Sequence, residues 1–527
     1  MKIVIVGVPL KHRSFNGANK ALPVLASSLA LAGFNDVIQL DLERPDLSEN
    51  DLVREVKDTE LILFAGCMTP QWPEIDNLTQ LVARHSSAPI IVGGYATKGA
   101  KDILCESSHL AALFDGEGEE GVVEIAKEVA RGSFNTLRSS IRGVCFIDKS
   151  GDYHHSTAKT VADLDPYNQS FNFVHIPAIH NMDIFRAKDG RVLETGQVYD
   201  QRGCPYNCGF CNKSTESGSI RWLGDEAFRE QLRLQKAKGI EAVYLDVDTA
   251  TINRSNFLRH AQILKEEGLV WGTNTRIDAI DSALIQSAVD CGCAYMFFGV
   301  EHIVPEVVVA VGKFNGTMHS QCSQARHYPG SVRRVFGEMK RAGLPSSYFI
   351  ILGLPAVEFE TGVTHKPISY RPATFEDDMW AIGFGLDECE PDFLNLNLLR
   401  FMPGSIAADQ ADHPAFDCVR PSGNKPITGG YFLPRVAKKR GYAVPNNHGV
   451  YRLCESVGHN QPATTAVDAE RVYETIRQTT GWINARIDAG RKPTTLFVDR
   501  QLMELGLVSR DDEGRYSLAP LHEFDSL

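Results

Sequence analysis

Three cysteines lie within one short stretch, RGCPYNCGFC, which runs from Arg202 to Cys211. They are Cys204, Cys208 and Cys211, with the spacing Cys-x3-Cys-x2-Cys. A structural zinc ion takes four protein ligands, and no fourth cysteine or histidine stands at a suitable short spacing. Thiolates also hold iron–sulfur clusters, and a four-iron cluster bound by three cysteines leaves one iron open to a small molecule. The spacing therefore favours a catalytic iron–sulfur site.

The N-terminal part of the chain alternates between strand and helix patterns, as in a doubly wound, Rossmann-like parallel sheet. The predicted strands are Lys2–Val6, Val37–Leu40, Leu61–Phe64, Pro89–Val92 and Ala112–Phe114. The predicted helices are Leu22–Ala32, Trp72–Arg84 and Glu119–Arg131. Ligands of such sheets bind beyond the carboxyl ends of the strands. Glycines follow several of these ends, although turn geometry alone also requires glycine.

A second alternation begins near Gly196 and contains six predicted strands. They are Gln197–Gln201, Ala242–Asp246, Val270–Thr275, Tyr295–Val300, Tyr348–Leu352 and Phe393–Arg400. Six β/α units in succession predict a partial, TIM-like (β/α)6 barrel, whose chemistry gathers at the carboxyl ends of its strands. The three cysteines follow the first of these strands, and we therefore expect them at that edge.

The remaining segments complete an α/β chain with four predicted parts. The boundaries that we predict are 1–135, 136–195, 196–405 and 406–527. The second part is a connector with a hairpin built on Val144–Ile147 and Tyr153. The last is a small, mainly helical domain that could cap the substrate, with helices over Val472–Ala489 and Leu496–Leu505 and a hairpin across Asp512–Gly514.

Composition narrows the range of partners. The 527 residues carry a formal net charge of −12, so no bulk attraction to nucleic acid or to an anionic membrane is expected. No apolar run approaches the ~18 residues of a membrane span, and the N-terminus does not read as a signal peptide. The 12 cysteines are scattered apart from the one cluster, which indicates free thiols in a cytoplasmic protein.

The cysteine spacing, with Phe210 directly before the last cysteine, resembles the signature of the radical S-adenosylmethionine (SAM) enzymes. Further segments look like successive strand ends of that family's barrel: LDVDTAT (Leu245–Thr251), TRID (Thr275–Asp278), CGCAYMFFGVEH (Cys291–His302), ILGLP (Ile351–Pro355) and FMPGS (Phe401–Ser405). In the N-terminal part, GGYAT (Gly93–Thr97) and DGEGEEG (Asp115–Gly121) are similar to the cobalamin-binding domain of the cobalamin-dependent subclass.

This resemblance implies roles for residues of the barrel. The three cysteines would ligate a 4Fe–4S cluster whose open iron takes the amino and carboxylate groups of SAM. Phe210 would approach the adenine. The polar residues that would hold the methionine and ribose portions of SAM are Asp246, Asp248, Arg276 and Glu301. Arg276 is suited to fork onto a carboxylate, although an ion pair at the barrel rim would use the same residue types.

The resemblance also implies a cobalamin site at the carboxyl edge of the N-terminal sheet. The residues expected to contact cobalamin are Pro9, Cys67, Met68, Thr69, Gly93, Gly94, Tyr95, Gly116, Glu117 and Glu119. His12 lacks the neighbours of the usual cobalt-binding motif, so we expect no histidine on the metal. The other interpretation of Cys67, and the one that we favour, is a buried free cysteine.

The function implied is that of a cobalamin-dependent radical SAM methyltransferase. Reductive cleavage of SAM would give a 5′-deoxyadenosyl radical, and methylcobalamin would methylate a small molecule at carbon or at a phosphinate phosphorus. An external flavodoxin- or ferredoxin-like protein would supply electrons. The alternative keeps both cofactors and ends in ring rearrangement or cyclisation. An RNA methylthiotransferase or a cobalamin sensor explains fewer of the features.

Overall fold

The computed structural model describes the greater part of the chain. The ranges described are 1–9, 19–44, 46–67, 71–95, 97, 100–168, 184–187, 189–211, 220–360, 365–399, 405–409, 413–419, 469–497 and 508–520. Met68 and Thr69, two expected cobalamin contacts, lie outside these residues, as do His12, His175 and His180.

The N-terminal sheet has the strand order β2-β1-β3-β4-β5-β6-β7. Its strands are β1 (Ile3–Gly7), β2 (Val37–Asp41), β3 (Leu61–Phe64), β4 (Ile90–Gly93), β5 (Ala112–Phe114), β6 (Val144–Ile147) and β7 (Tyr153–His154). The first five are parallel, and β6 and β7 add an antiparallel edge. Order 2-1-3-4-5 is the flavodoxin-like arrangement, with its topological switch point between β1 and β3.

Helices cover both faces of this sheet, which is why β1, β3, β4 and β5 are continuously apolar. They are α1 (Ala21–Leu31), α2 (Glu49–Val56), α3 (Trp72–Ala83), α4 (Ala100–Glu106), α5 (Glu119–Ala130) and α6 (Phe134–Leu137). Ile3 and Ile5 pack on one face of the sheet, and Val4 and Val6 pack on the other. The predicted strands and helices of this part are thus confirmed, and the predicted hairpin of the connector is part of the same sheet.

The second sheet is a parallel, partial barrel with the order β18-β17-β14-β13-β12-β11-β8 within the described residues. Its strands are β8 (Thr195–Val198), β11 (Ala242–Leu245), β12 (Val270–Arg276), β13 (Cys293–Glu301), β14 (Ser346–Leu352), β17 (Phe393–Leu398) and β18 (Thr495–Phe497). Two short pairs lie beside it: β9 (Gln201–Arg202) with β10 (Arg221–Trp222), and β15 (Pro355–Phe359) with β16 (Pro367–Pro372).

Helices alternate with these strands and build the largest apolar core of the described residues. They are α7 (Asp225–Lys236), α8 (Arg254–Glu266), α9 (Ser282–Asp290), α10 (Pro305–Ala310), α11 (Met318–Ala342), α12 (Phe375–Phe384), α13 (Ile406–Asp409), α14 (Pro414–Asp417) and α15 (Ala469–Asp488). α12 begins with a capping box in which Thr374 and Asp377 bond each other's backbone, and α11 ends at Gly343 in the left-handed region. Among the described helices, none has the length and apolar character that crossing a membrane requires.

Two predictions near the barrel differ from the structure. The first barrel strand ends at Val198, and Gln201 belongs to the separate pair β9–β10 that carries the cysteine loop. The helix predicted over Leu496–Leu505 is wrong at its start, because β18 pairs in parallel with β17 and widens the barrel sheet. A short run of apolar residues fits either a strand or a helix, and the pairing partner decides between them. The helix α15 and the C-terminal hairpin of β19 (Val508–Arg510) and β20 (Tyr516–Leu518) are confirmed.

Candidate active site at the barrel edge

The cysteine loop leaves β9 at the carboxyl edge of the barrel. Cys208 is buried, whereas Cys204 and Cys211 are half-buried. The backbone N–H of Cys211 donates to the Cys208 carbonyl at 2.9 Å, which closes a tight turn. Gly209 anchors the loop from two sides, donating to the Val311 carbonyl and accepting from the Ala407 N–H. A side chain at this glycine would overlap the Phe416 ring, so the loop is held close against the C-terminal segment.

Arg276, at the end of β12, lies against this loop. Its Nε and Nη2 donate to the two carboxylate oxygens of Asp278, each at 2.8 Å. Nη2 also donates to the Lys313 carbonyl at 2.7 Å, and Nη1 lies 3.5 Å from the Cys208 Sγ. The guanidinium stacks on the Tyr206 ring, 3.7 Å from its centroid. The fork that we expect to take the SAM carboxylate is therefore already filled by an internal carboxylate.

Glu301, at the end of β13, has an unusual backbone and an unpaired oxygen. The register between β13 and β14 shifts at this point, and Glu301 has a φ of 68°, so the bulge re-aims its side chain. Its Oε1 lies 3.8 Å from the ammonium of Lys313, which is 1% exposed. Its Oε2 is buried and meets no hydrogen-bond donor among the described residues. A buried carboxylate oxygen in this state is suited to an ammonium or hydroxyl of a ligand.

Asp246 and Asp248 follow β11 and are both half-buried. The Asp246 carboxylate forms an ion pair with Lys20 of the N-terminal part and also accepts from Gln197. Asp246 therefore joins the barrel to the loop before α1. Asp248 offers its backbone carbonyl to the Thr249 hydroxyl. Its role toward SAM stays a prediction, as does that of Phe210, which packs half-buried against the barrel core.

The expected cobalamin edge is built from backbone turns after β1, β3, β4 and β5. Pro9, Gly93, Gly94, Tyr95 and Gly116 are half-buried there. Gly94 has a φ of +122°, and a Cβ would lie 2.5 Å from the Cys67 backbone. This close approach within the chain is sufficient reason for glycine at that position. The pattern is compatible with a corrin at this edge, but a glycine-lined turn does not require one.

Cys67 is buried beneath this edge. Its backbone N–H donates to the Gly93 carbonyl at 3.0 Å. Burial raises the pKa of its thiol well above the ordinary value. A neutral thiol is a poor metal ligand, because the thiolate is the ligating form. The geometry thus favours the buried free cysteine, one of the two interpretations left open by the sequence.

Glu117 and Glu119 are also expected to contact cobalamin. In the structure, their carboxylates pair with arginines of the barrel. Arg221 reaches both oxygens of Glu117, at 2.7 and 2.8 Å. Arg202, two residues before the first cysteine, forms an ion pair with Glu119. Burial would raise the pKa of Glu117, but the hydrogen bond from Arg221 and the charge of Arg202 outweigh burial and lower it. These carboxylates connect the two sheets, and their direct contact with cobalamin stays a prediction.

Comparisons with known proteins agree with this architecture. The model of the radical SAM superfamily matches residues 198–362. An uncharacterized methyltransferase of Pyrococcus horikoshii is 24% identical over 291 residues, which are 53% of this chain and 60% of that protein. An anaerobic magnesium-protoporphyrin IX monomethyl ester cyclase of Cereibacter sphaeroides is 23% identical over 287 residues, 53% of this chain and 46% of that protein. The chain thus spans about half the length of the curated relatives it matches.

A solved structure extends the likeness to both sheets. The radical SAM methyltransferase TsrM from Kitasatospora setae, bound to tryptophan and a SAM analogue, superposes with a TM-score of 0.59. The match covers 81% of this chain and 80% of that chain, at 16% identity. Residues 198–362 form a radical SAM domain. Solved structures that share this fold contain the three cofactors predicted from the sequence: cobalamin and a 4Fe–4S cluster in TsrM, and cobalamin and SAM in the radical enzyme OxsB.

The donor set of the cysteine loop fits a 4Fe–4S cluster. Three cysteines lie within eight residues, none of them is in a disulfide, and thiolates are the ligands of such clusters. Burial raises the pKa of the Cys208 thiol, while Arg276 and Lys313 act in the opposite direction and favour the thiolate.

Sequence reasoning missed several residues of this candidate site. Lys313 and Tyr206 carried no signal, because a single lysine after α10 and a tyrosine inside the cysteine motif are unremarkable in a sequence. Arg202 and Arg221 were also missed, although two arginines that flank the cysteine loop are a detectable asymmetry in a chain of net negative charge. Asp278 belongs to the TRID segment, but the spacing Arg-x-Asp gave no reason to expect a fork between the two side chains.

A second missed group lies directly behind Glu301. His302 is fully buried, with its Nε2 3.4 Å from Asp378 of α12. Arg471 of α15 reaches the other oxygen of Asp378 at 2.6 Å. The group connects the C-terminal helix to the strand that carries Glu301. The C-terminal segment therefore supports the barrel edge.

Proposed function

We propose that this protein is a cobalamin-dependent radical SAM methyltransferase that acts on a small molecule. One observation carries the proposal: a loop with three cysteines, none of them in a disulfide, lies at the carboxyl edge of a parallel barrel, and ion pairs join this edge to that of a flavodoxin-like sheet. The name of the Pyrococcus relative and the fold shared with TsrM support the same reaction class.

The residues of the barrel edge would divide the work of binding. Cys204, Cys208 and Cys211 would hold the cluster, and the unpaired Oε2 of Glu301 would accept from the ammonium or a hydroxyl of SAM. When bound, the cluster supplies an electron for cleavage of SAM, and cobalamin supplies a transferable methyl group. Lys313 would keep the Glu301 carboxylate from being an isolated buried charge.

The residues predicted to contact cobalamin would fall into two groups. The half-buried backbone of Gly93 to Tyr95, together with Pro9 and Gly116, would line the corrin. Glu117 and Glu119 would act through Arg221 and Arg202, fixing the distance between this edge and the cysteine loop. We propose these assignments as working roles for the residues predicted from sequence.

The substrate would lie inside the barrel, between the two edges. Successive residues of a strand face opposite sides, and Phe298 and Tyr348 pack outward on Phe336 of α11. Phe297 and Phe349 therefore face inward, with ring centroids 5.2 Å apart and both rings half-buried. A paired aromatic wall favours a substrate with an apolar or unsaturated face.

An external donor of the flavodoxin or ferredoxin type would reduce the cluster, and the protein would act in the cytoplasm. None of the described cysteines forms a disulfide, which suits a reducing compartment.

The decisive experiment uses SAM labelled at its methyl carbon. Anaerobically reconstituted protein is incubated with this SAM, cobalamin and a reductant, and cobalamin and 5′-deoxyadenosine are analysed. We expect label on cobalamin, and 5′-deoxyadenosine that depends on the reductant. The absence of label from cobalamin would exclude the methyltransferase.

A cyclase is the second candidate, because one matched relative is a cyclase that acts on a magnesium porphyrin monomethyl ester. It predicts 5′-deoxyadenosine without any transfer of label to the product. The same incubation, repeated with candidate substrates, therefore separates the two functions.

A further inference from the structure

All three nitrogens of the Arg276 guanidinium have partners in the cysteine loop or in the residues around it. Both arms of its fork reach Asp278, Nη2 also donates to the Lys313 carbonyl, and Nη1 points at the Cys208 Sγ. The Tyr206 ring, inside the cysteine motif, covers one face of the guanidinium. Arg276 therefore contacts the loop at two points, a sulfur and a ring.

These contacts leave little of Arg276 for a substrate carboxylate. The side chain of Arg276 is 9% exposed, and that of Asp278 is 23% exposed. A bidentate pair of arginine and carboxylate is among the strongest hydrogen-bonded arrangements in proteins. A SAM carboxylate would have to displace Asp278 from this fork, and would leave that carboxylate partly buried without its partner.

We propose that Arg276 is a positioning residue that holds the cysteine loop and raises the reduction potential of the cluster through its contact with Cys208. This inference rests on the proposed function, since it needs the cluster to be present. Reduction adds negative charge to a cluster, and hydrogen bonds to the ligating sulfurs are among the factors that set its potential. A buried positive charge next to a ligating sulfur therefore stabilises the reduced form, and burial strengthens the effect.

Lys313 does not duplicate this role. Its ammonium donates to the Gly299 carbonyl at 2.8 Å and lies near Glu301. Its positive charge is thus opposed by a neighbouring carboxylate, and no hydrogen bond from Lys313 to Cys208 is among the described contacts. Arg276, in contrast, directs an N–H of its guanidinium at the Cys208 sulfur.

The test compares Arg276→Gln and Arg276→Lys with the wild type, using full-length protein with a reconstituted cluster. Arg254→Gln is the matched control, because Arg254 forms an exposed pair with Asp281 on the same barrel. The midpoint potential is measured by redox titration followed by electron paramagnetic resonance, first without SAM. SAM affinity is measured separately on the oxidised cluster.

For Arg276→Gln we expect a more negative potential without SAM. The expected size is about a tenfold lower ratio of reduced to oxidised cluster at a fixed applied potential, or about 59 mV for one electron. Arg276→Lys should shift the potential less, because the charge remains and the fork is lost. Arg254→Gln should leave it unchanged.

An unchanged potential in both Arg276 variants would overturn the inference. If SAM affinity fell strongly in the same variants, Arg276 would be a SAM ligand instead. If Arg276→Gln fails to assemble a cluster, Arg276→Lys decides: no shift in its potential contradicts the proposal. A wild type that assembles no cluster would instead contradict the proposed function.

Discussion

Both sheets have a carboxyl edge at which a ligand can bind, but the two edges are built from different kinds of groups. At the carboxyl edge of the N-terminal sheet, the chain contributes mainly backbone: turns at Gly94 and Gly116, both with positive φ, above a buried neutral thiol. At the edge of the barrel it contributes reactive and charged side chains, among them Cys208, Arg276 and Glu301. Topology therefore fixes where a ligand binds, and the side chains at the edge decide which chemistry follows.

The charged side chains of the N-terminal edge contribute to the contact with the barrel. Glu117, Glu119 and Lys20 direct their charges at the barrel, to Arg221, Arg202 and Asp246. A large cofactor can be bound through backbone and shape, so that these side chains remain available to fix the distance between the two edges. Substitutions of residues at the two edges test this comparison.

The largest difference is expected between two buried cysteines. Cys208→Ala removes a proposed ligand of the cluster and should abolish iron loading and 5′-deoxyadenosine formation, while cobalamin binding persists. Cys67→Ala, at the other edge, should retain the cluster, because its buried thiol is neutral and serves packing. Iron and sulfide content and the cobalamin absorption spectrum give both readouts. Loss of iron in Cys67→Ala, or of cobalamin in Cys208→Ala, would contradict the division between the edges.

A smaller effect is expected from the pair that joins the edges. The Glu119 side chain is 3% exposed and that of Arg202 is 24% exposed, so Arg202→Gln leaves a buried carboxylate without its partner. Removing one member of a buried pair typically costs about 3–5 kcal/mol of unfolding free energy. Adding Glu119→Gln should recover part of this loss, with a coupling energy of about 0.5–3 kcal/mol. Denaturant titrations of the single and double variants measure it.

The exposed pair of Arg233 and Glu226 provides the control for this cycle. Its coupling should be about 0.2–1 kcal/mol, as for surface pairs in general. Equal coupling at the two positions would show that the contact between the edges is no stronger than a surface ion pair.

The same contrast explains how far the sequence predicts the site. Strands over Lys2–Val6 and Tyr295–Val300 were predicted because continuous apolar runs between turn signals are a local property. The three cysteines were predictable because their spacing along the chain is typical of a loop that binds an iron–sulfur cluster. The fork between Arg276 and Asp278 and the stacking on Tyr206 depend on how strand ends meet in space. No pattern along the chain encodes those contacts.

Glu117 and Glu119 show a related limit of the sequence prediction. Glu117 and Glu119 follow a strand end at the expected cofactor edge, and position alone suggests a ligand contact. Their partners, Arg221 and Arg202, are more than 80 residues away along the chain. A carboxylate near a ligand edge can face the ligand or the neighbouring domain, and only the three-dimensional structure separates these possibilities.

The smallest expected effect is a dependence of this contact on pH. The pKa of Glu117 is lowered from its ordinary value of 4.5 in the folded protein. Stabilisation by its ionised carboxylate is therefore fully present above about pH 4.5 and is lost as the pH falls through the lowered pKa. Glu117→Gln has no such titration. The difference in unfolding free energy between wild type and Glu117→Gln should stay constant from pH 8 to about pH 5 and shrink below it. A difference that grows on acidification would mean that Glu117 is protonated in the native contact, and that its two hydrogen bonds to Arg221 are not the charge-assisted pair that joins the edges.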